Sequence, residues 1–177
     1  AATGSARYNG AAAVGTTICF APHNQNNVGV LDTTNSNFST IATTGDASSG
    51  GKKYQGAVAV GSLVIFAPRD ANVVGVYDVS AGTFDASVST GSLPMDYPSD
   101  LPTWMQPWYH SNFGGVAAVG DLVVFAPRNA DVVGVYDVRT QYSGGAPTHR
   151  QRDGLNYLYR AVTPFVAWMI GQTVGST

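Results

Sequence analysis

The chain has 177 residues and a mass of 18.4 kDa, which favours one domain or one compact array of repeats. Hydrophobic residues make up 44% of it but charged residues only 11%, against about 25% in an average soluble domain. All 11 acidic residues are Asp, and Gly occurs 21 times, so an all-helical bundle is excluded. A net charge of −2 makes nucleic-acid binding improbable, and a single cysteine excludes an internal disulfide and a cysteine-based zinc site.

Three segments of the sequence, 8–32, 54–78 and 113–137, align with one another without gaps. Each begins with an aromatic residue, continues through Ala-Val-Gly and Phe-Ala-Pro, and ends in Val-Gly-Val followed by Leu or Tyr and then Asp. Equivalent positions are 46 residues apart between the first two segments and 59 apart between the second and third. The sequence therefore predicts three structural repeats, with an insertion of about 13 residues before the third.

Within each repeat, short β-branched runs alternate with Gly, Pro and Asp turns, which is typical of antiparallel strands. A fourth strand is predicted at 38–42 and at 84–88 in the first two repeats. Four short strands in about 46 residues match the size of one propeller blade. We therefore predict an all-β fold of three propeller-blade-like four-stranded repeats, which form an incomplete or atypical propeller. The predicted units cover about 6–45, 52–89 and 112–142 of a repeat region 1–145, with the insertion at 90–112.

The recurring Gly, Pro and Asp residues predict structural roles. A Gly in the middle of a strand marks a bulge or a close backbone approach, and a Pro ends a strand. An Asp after a strand commonly accepts hydrogen bonds from backbone amides of the following turn. The alternative for the Asp residues is a ring of carboxylates around a shared cavity that binds a cation or a sugar. The positions concerned are Gly29, Gly75, Gly134, Pro22, Pro68, Pro127, Asp32, Asp78 and Asp137.

A basic residue follows the Pro of each repeat, namely His23, Arg69 and Arg128. Because these residues are equivalent, we expect them on one rim of the array, and such a rim is the usual binding face of repeat proteins. The simpler interpretation is a solvated turn.

The segments 10–15 and 20–32, which read GAAAVG and FAPHNQNNVGVLD, resemble kelch-like β-propeller repeats. They look closest to the tandem-repeat proteins of dinoflagellate algae, and the resemblance covers about 6–142. It implies a propeller-like β fold with a binding or scaffolding role and assigns no catalytic residue. The chain starts at Ala1 without a secretory leader, so we expect a processed form or a part of a longer chain. With the algal resemblance, this start favours a plastid component associated with thylakoids; an extracellular or otherwise soluble location is the alternative.

The insertion contains four prolines and an aromatic cluster of Tyr97, Trp104, Trp108 and Tyr109. We expect these rings to pack over an open sheet edge, or to anchor a partner or stack on a sugar.

The tail 146–177 is predicted to be a linker followed by a helix over 155–170, where apolar residues fall at helical spacing. Its apolar stretch is too short to cross a bilayer, which needs about 20 residues. It is expected to cap the third repeat, to dock on a partner through Phe165 and Trp168, or to lie on a membrane surface.

No standard catalytic motif occurs in the chain, and its one Cys and three scattered His residues predict no cofactor and no protein-bound transition metal. We therefore predict a non-catalytic structural or binding subunit that docks on protein subunits of a larger assembly, with a photosynthetic membrane complex as the candidate. The alternative is a free carbohydrate-binding or hydrolytic propeller-like domain that uses the rim.

Overall fold

The protein is described by a computed structural model that covers residues 6–90, 111–130 and 132–141, together with the backbone of two strands at 157–158 and 167–171. These residues are mostly β-strand, which confirms the predicted all-β class.

Each repeat forms one antiparallel sheet, which we call unit 1, unit 2 and unit 3. Unit 1 contains β1 (Tyr8–Val14), β2 (Thr17–Pro22), β3 (Asn27–Asp32) and β4 (Asn37–Ala42). Unit 2 contains β5 (Tyr54–Val60), β6 (Leu63–Pro68), β7 (Gly75–Asp78) and β8 (Thr83–Asp85). Unit 3 contains β9 (Phe113–Val119), β10 (Leu122–Pro127), β11 (Val132–Asp137), β12 (Tyr157–Leu158) and β13 (Ala167–Gly171). Two short 3-10 turns lie at Gly45–Ser48 and Val138–Gln141.

The predicted helical tail is wrong where the structure describes it. β13 is a strand that pairs antiparallel with β11, from Val132 opposite Gly171 to Tyr136 opposite Ala167. It therefore occupies in unit 3 the position that β4 and β8 occupy in the other units, and β12 adds a fifth strand outside it. Without β13, the outer edge of β11 would leave its backbone donors and acceptors unpaired. A strand forms hydrogen bonds with these groups along the whole edge, which a helix cannot do.

The recurring Asp residues have the predicted turn role. Asp32 accepts the Thr34 amide at 2.9 Å, Asp78 accepts the Ser80 amide at 2.8 Å, and the carboxylate of Asp137 accepts the amide of the residue two positions on at 3.0 Å. Each carboxylate thus bonds inside its own turn. Among the residues that the structure describes, no three His, Cys, Asp or Glu side chains form a group that could hold a metal ion.

The three sheets lie next to one another through their first strands, with β5 between β1 and β9. A register shift in β1 and another in β5 place a glycine at the point of closest approach. A Cβ atom built on Gly10 would lie 2.6 Å from the Cα of Gly56, so a side chain has no room there. Both glycines also have φ near +100°, at 103° and 93°, a region that favours Gly.

Two hydrophobic cores join the units, one at each boundary. β6 contributes to both, because its alternate side chains point to opposite faces of the sheet. Val64 and Phe66 pack toward unit 1, while Leu63 and Ile65 pack toward unit 3. All six residues of β6 are buried as a result.

The mid-strand glycines make room for an aromatic ring rather than for another backbone. A Cβ on Gly75 would lie 2.8 Å from Cζ of Tyr54, and a Cβ on Gly134 would lie 2.8 Å from Cζ of Phe113. In unit 1, a Cβ on Gly29 would lie 3.0 Å from Cζ of Tyr8 and 3.0 Å from Cζ of Phe38. The first strand of each unit therefore lays its leading ring over the glycine of the third strand.

Candidate binding surfaces

The turn after each repeat Pro is bonded to the next unit along the chain. The backbone amide of Lys53 donates to the carbonyl of His23 at 3.0 Å, and the amide of Asn112 donates to the carbonyl of Arg69 at 2.6 Å. These two bonds are equivalent by the repeat alignment. The predicted rim is therefore also the edge at which successive units are joined.

Two of the three predicted rim side chains lie together at this edge. His23 is only 4% exposed, and its Nδ1 lies 3.0 Å from the carbonyl oxygen of Tyr54. Its Nε2 lies 3.4 Å from Nη1 of Arg69, whose Nε donates to Oγ of Ser111 at 3.0 Å. Arg128 is exposed, and it donates to Oε1 of Gln55 in unit 2 at 3.3 Å. His23 and Arg69 thus contribute mainly to the contacts between units.

Asp70 is the acidic member of this polar cluster. Its Oδ1 accepts the hydroxyl of Ser111 at 3.2 Å and lies 3.5 Å from Nε of Arg69. Burial nevertheless raises the pKa of the carboxyl, since desolvation outweighs the attraction of the Arg69 guanidinium. The carboxylate of Asp70 is therefore partly desolvated at this boundary, and it lies beside the opposite charge of Arg69.

The only cysteine of the chain lies in the core between units 1 and 2. Cys19 is fully buried, and burial raises the pKa of its thiol to about 11. A thiol of this kind is a packing group, since the nucleophile and metal ligand is the thiolate.

Unit 1 carries an apolar surface on the side turned away from unit 2, which we call the first-unit face. Its side chains are equivalent to those with which unit 2 packs on unit 1. Tyr8, Phe20 and Phe38 form a ring cluster with centroids 5.9 to 6.4 Å apart. Phe38 is 52% exposed. The members of the face are Tyr8, Ile18, Phe20, Leu31 and Phe38.

Unit 3 carries a second apolar surface on the side turned away from unit 2, which we call the third-unit face. Its residues are equivalent to those with which unit 2 packs on unit 3. Val119 is 75% exposed, Leu122 39% and Val133 37%. With Phe38, these three make up all the exposed large hydrophobic residues among those whose side chains the structure describes. The face consists of Ala117, Val119, Leu122, Val124, Ala126, Val133 and Val135.

A shallow groove of about 500 Å³ lies between units 2 and 3 at the edge opposite the rim cluster. Val60, Leu63 and Val138 line it, with Asp121 and Arg139 at its polar side. The two charged residues approach each other to 3.7 Å, so they pair rather than converge on a common point. This groove has little of the polar convergence that is typical of a sugar site or an active site.

The aromatic residues predicted to bind a partner lie outside the described residues, namely Tyr97, Trp104, Trp108, Tyr109 and Phe165. Trp168 lies on β13, opposite Val135 in the strand register. Within the described residues, no helix is long and apolar enough to cross a bilayer.

A scan of protein-family models and a search of curated proteins gave no match. The chain is similar to the computationally designed Ika4 protein, with a TM-score of 0.50 and 12% identity, over 98% of this chain and 94% of that one. A chain of the mitotic checkpoint complex gives a TM-score of 0.49 and 14% identity, over 75% and 34%. Glutaminyl cyclase of Myxococcus xanthus gives 0.42 and 8%, over 72% and 47%.

At these identities the likeness to the designed protein concerns the fold alone. The chain spans about a third of the checkpoint-complex chain and about half of the cyclase.

The two apolar faces were missed by the sequence reasoning, although the sequence holds a signal for them. Strand alternation assigns each apolar residue of a repeat to one side of its sheet, and the repeat alignment then assigns the same side in the other units. Among the described residues, no further sheet packs on the outer side of unit 1 or on the outer side of unit 3.

Proposed function

We propose that the protein is a non-catalytic structural subunit that binds protein partners through the first-unit face and the third-unit face. The observation that carries this proposal is the position of the exposed large hydrophobic residues. Phe38, Val119, Leu122 and Val133 all belong to these two faces. Contiguous exposed apolar surface of this kind marks interaction sites in soluble proteins, whereas single exposed apolar residues do not.

The low charge of the chain supports the same proposal. Only 11% of its residues are charged, and interface cores are depleted in charged residues relative to the rest of a protein surface. The identity of the assembly is a further part of the proposal. A photosynthetic membrane complex, a plastid location and a relation to the algal repeat proteins remain predictions from the sequence resemblance.

The alternative function, a carbohydrate-binding or hydrolytic domain, has less support. It relied on the rim, where His23 and Arg69 are engaged in bonds between units. Of the three rim residues, Arg128 is the exposed one. Binding to a carbohydrate panel that is lost in an Arg128→Ala variant would favour this alternative.

The proposal is tested by native mass spectrometry of the tagged chain, purified under mild conditions from the cells that make it. We compare the wild type with Val133→Lys on the third-unit face and Phe38→Lys on the first-unit face. Ser80→Lys serves as the control, since Ser80 is an exposed turn residue of unit 2 outside both faces. We expect the associated polypeptides to be lost with either face variant and retained with the control. Associations that survive both face variants would contradict the proposal.

A further inference from the structure

The boundary between units 1 and 2 and the boundary between units 2 and 3 are built from equivalent residues. On one side of the boundary, Cys19, Ala21 and Val28 of unit 1 correspond to Ile65, Ala67 and Val74 of unit 2. On the other side, residues of unit 2 correspond to residues of unit 3: Tyr54 to Phe113, Val64 to Val123, Phe66 to Phe125, Val73 to Val132 and Tyr77 to Tyr136. The chain thus makes the same interface twice.

The two uncovered faces are the two halves of a third interface of this kind. Leu122, Val124 and Val133 of the third-unit face correspond to Leu63, Ile65 and Val74, which unit 2 uses against unit 3. The first-unit face corresponds to the set that unit 2 uses against unit 1, with Phe20 at the position of Phe66. The two outer faces therefore carry residues that correspond to the two sides of the boundaries inside the chain.

We propose that two copies of this chain associate head to tail, so that the first-unit face of each copy packs on the third-unit face of the other. This inference rests on the proposed function and names the partner of the two faces. Head-to-tail interfaces form a closed ring when the rotation closes. Propellers typically have four to eight blades, so two copies, which bring six units, fall in that range, whereas one copy does not.

The backbone contacts of the boundary can continue in the same way. Arg7 is the equivalent in unit 1 of Lys53 and Asn112, whose amides donate to the preceding unit. In the pair, the Arg7 amide therefore faces the carbonyl of Arg128 in the second copy. Gly10 faces Gly115 of that copy, as it faces Gly56 within its own chain.

The interface between copies is more polar than the two within the chain. Asn27 and Thr33 of unit 1 stand at the positions of Val73 and Val79. The side chain of Asn27 accepts the hydroxyl of Tyr8 at 2.5 Å, so its polar group has a partner inside unit 1. We therefore expect an association that is reversible on dilution, in contrast to the permanent boundaries inside the chain.

Sedimentation velocity of the purified full chain tests the proposal across a dilution series. We expect a species of twice the 18.4 kDa chain mass that dissociates on dilution. Phe38→Lys and Val133→Lys should each weaken the association by about 100-fold or more, because each leaves an unpaired charge in the apolar interface. Ser80→Lys should leave it unchanged.

Mixing the two face variants distinguishes head-to-tail association from any other dimer. A dimer formed by either variant alone has a lysine in both of its interfaces. In a mixed pair, both lysines lie in one interface, and the other interface is of wild-type composition. We therefore expect the mixture to recover at least tenfold in association over either variant alone. An isologous dimer would show no such recovery.

Circular dichroism and thermal unfolding of each variant establish that it is folded. Thr40→Lys, on the same side of β4 as Phe38 and also exposed, replaces Phe38→Lys if that variant does not fold.

A wild-type chain that is monomeric at 100 μM, or a dimer that both variants leave intact, would overturn the inference. The proposed function would survive the first result if the face variants still lost other polypeptides in the native-source experiment. It would fail with the inference if they lost none.

Discussion

Replacing Gly75 with Ala tests the packing of an aromatic ring over each mid-strand glycine. The added Cβ would lie 2.8 Å from Cζ of Tyr54, whereas carbon atoms are best separated by about 3.5–4.0 Å. The ring would have to recede by about 0.7–1.2 Å. It has no space to do so, because Tyr54 is fully buried and its ring centroid lies 5.9 Å from that of Phe66.

Overpacking of this size costs about 1–3 kcal/mol. Ala restricts the unfolded chain more than Gly does, and this effect offsets about 0.4–1 kcal/mol of the overpacking cost. We therefore expect a net loss of about 1–2 kcal/mol in the free energy of unfolding. For a chain of this size that corresponds to a fall in Tm of about 2–8 °C.

Urea and thermal unfolding, followed by circular dichroism, measure the effect, and two further substitutions calibrate it. Gly115→Ala is the matched control, since its nearest atom would be 3.8 Å away. Gly29→Ala should cost less than Gly75→Ala, because the two rings near Gly29 would lie 3.0 Å from the new Cβ rather than 2.8 Å, and neither Tyr8 nor Phe38 is fully buried as Tyr54 is.

A double-mutant cycle with Tyr54→Leu isolates the contact with the ring. Leu removes the ring edge that the new Cβ would meet, so Gly75→Ala should be nearly neutral in this background. The expected coupling is about 1–2 kcal/mol, within the range found for residues in contact. If Gly75→Ala costs the same in both backgrounds, the ring is not the cause of the loss and the reasoning is refuted.

Three other predictions concern single buried groups. Tyr54→Phe should raise the free energy of unfolding by about 1 kcal/mol in urea titrations, because the Tyr54 hydroxyl is buried without a hydrogen-bond partner among the described residues and unit 3 has Phe113 there. The wild type should lose stability as pH rises from the unfolded pKa of Asp70 to its higher folded pKa, because the folded state binds the proton more tightly. Asp70→Asn, which gives unit 2 the residue that unit 3 has at Asn129, should remove this loss, and an unchanged pH profile would contradict the prediction. Cys19 should react with a thiol reagent only as fast as units 1 and 2 separate, so labelling in the native state at the rate of a free thiol would show that the boundary is open.

The repeat pattern was sufficient to predict three β-sheet units, because local alternation and turn residues determine both the strands and their order. It was not sufficient for the fourth strand of unit 3. That strand, β13, lies 30 residues beyond the end of β11. A short apolar run such as Ala167–Gly171 fits a helix or a strand equally well, and its partner edge decides between them.

The rim shows a second limit of sequence reasoning. Equivalence among the repeats predicts that His23, Arg69 and Arg128 lie on one rim, and the structure brings the side chains of His23 and Arg69 to within 3.4 Å of each other. It did not show that the next unit covers this edge, since the direction in which one sheet packs on another depends on the whole interface. The buried position of His23 therefore required the structure.

The boundary between units 2 and 3 matches the boundary between units 1 and 2 although the connecting segments differ in length. Residues 91–110 lie in the longer connection, yet the amide of Asn112 bonds to Arg69 as the amide of Lys53 bonds to His23. The connecting segment therefore does not determine how neighbouring sheets dock. Its length and sequence are free to diverge during evolution, and whole units can be duplicated or lost without redesign of the contacts that remain.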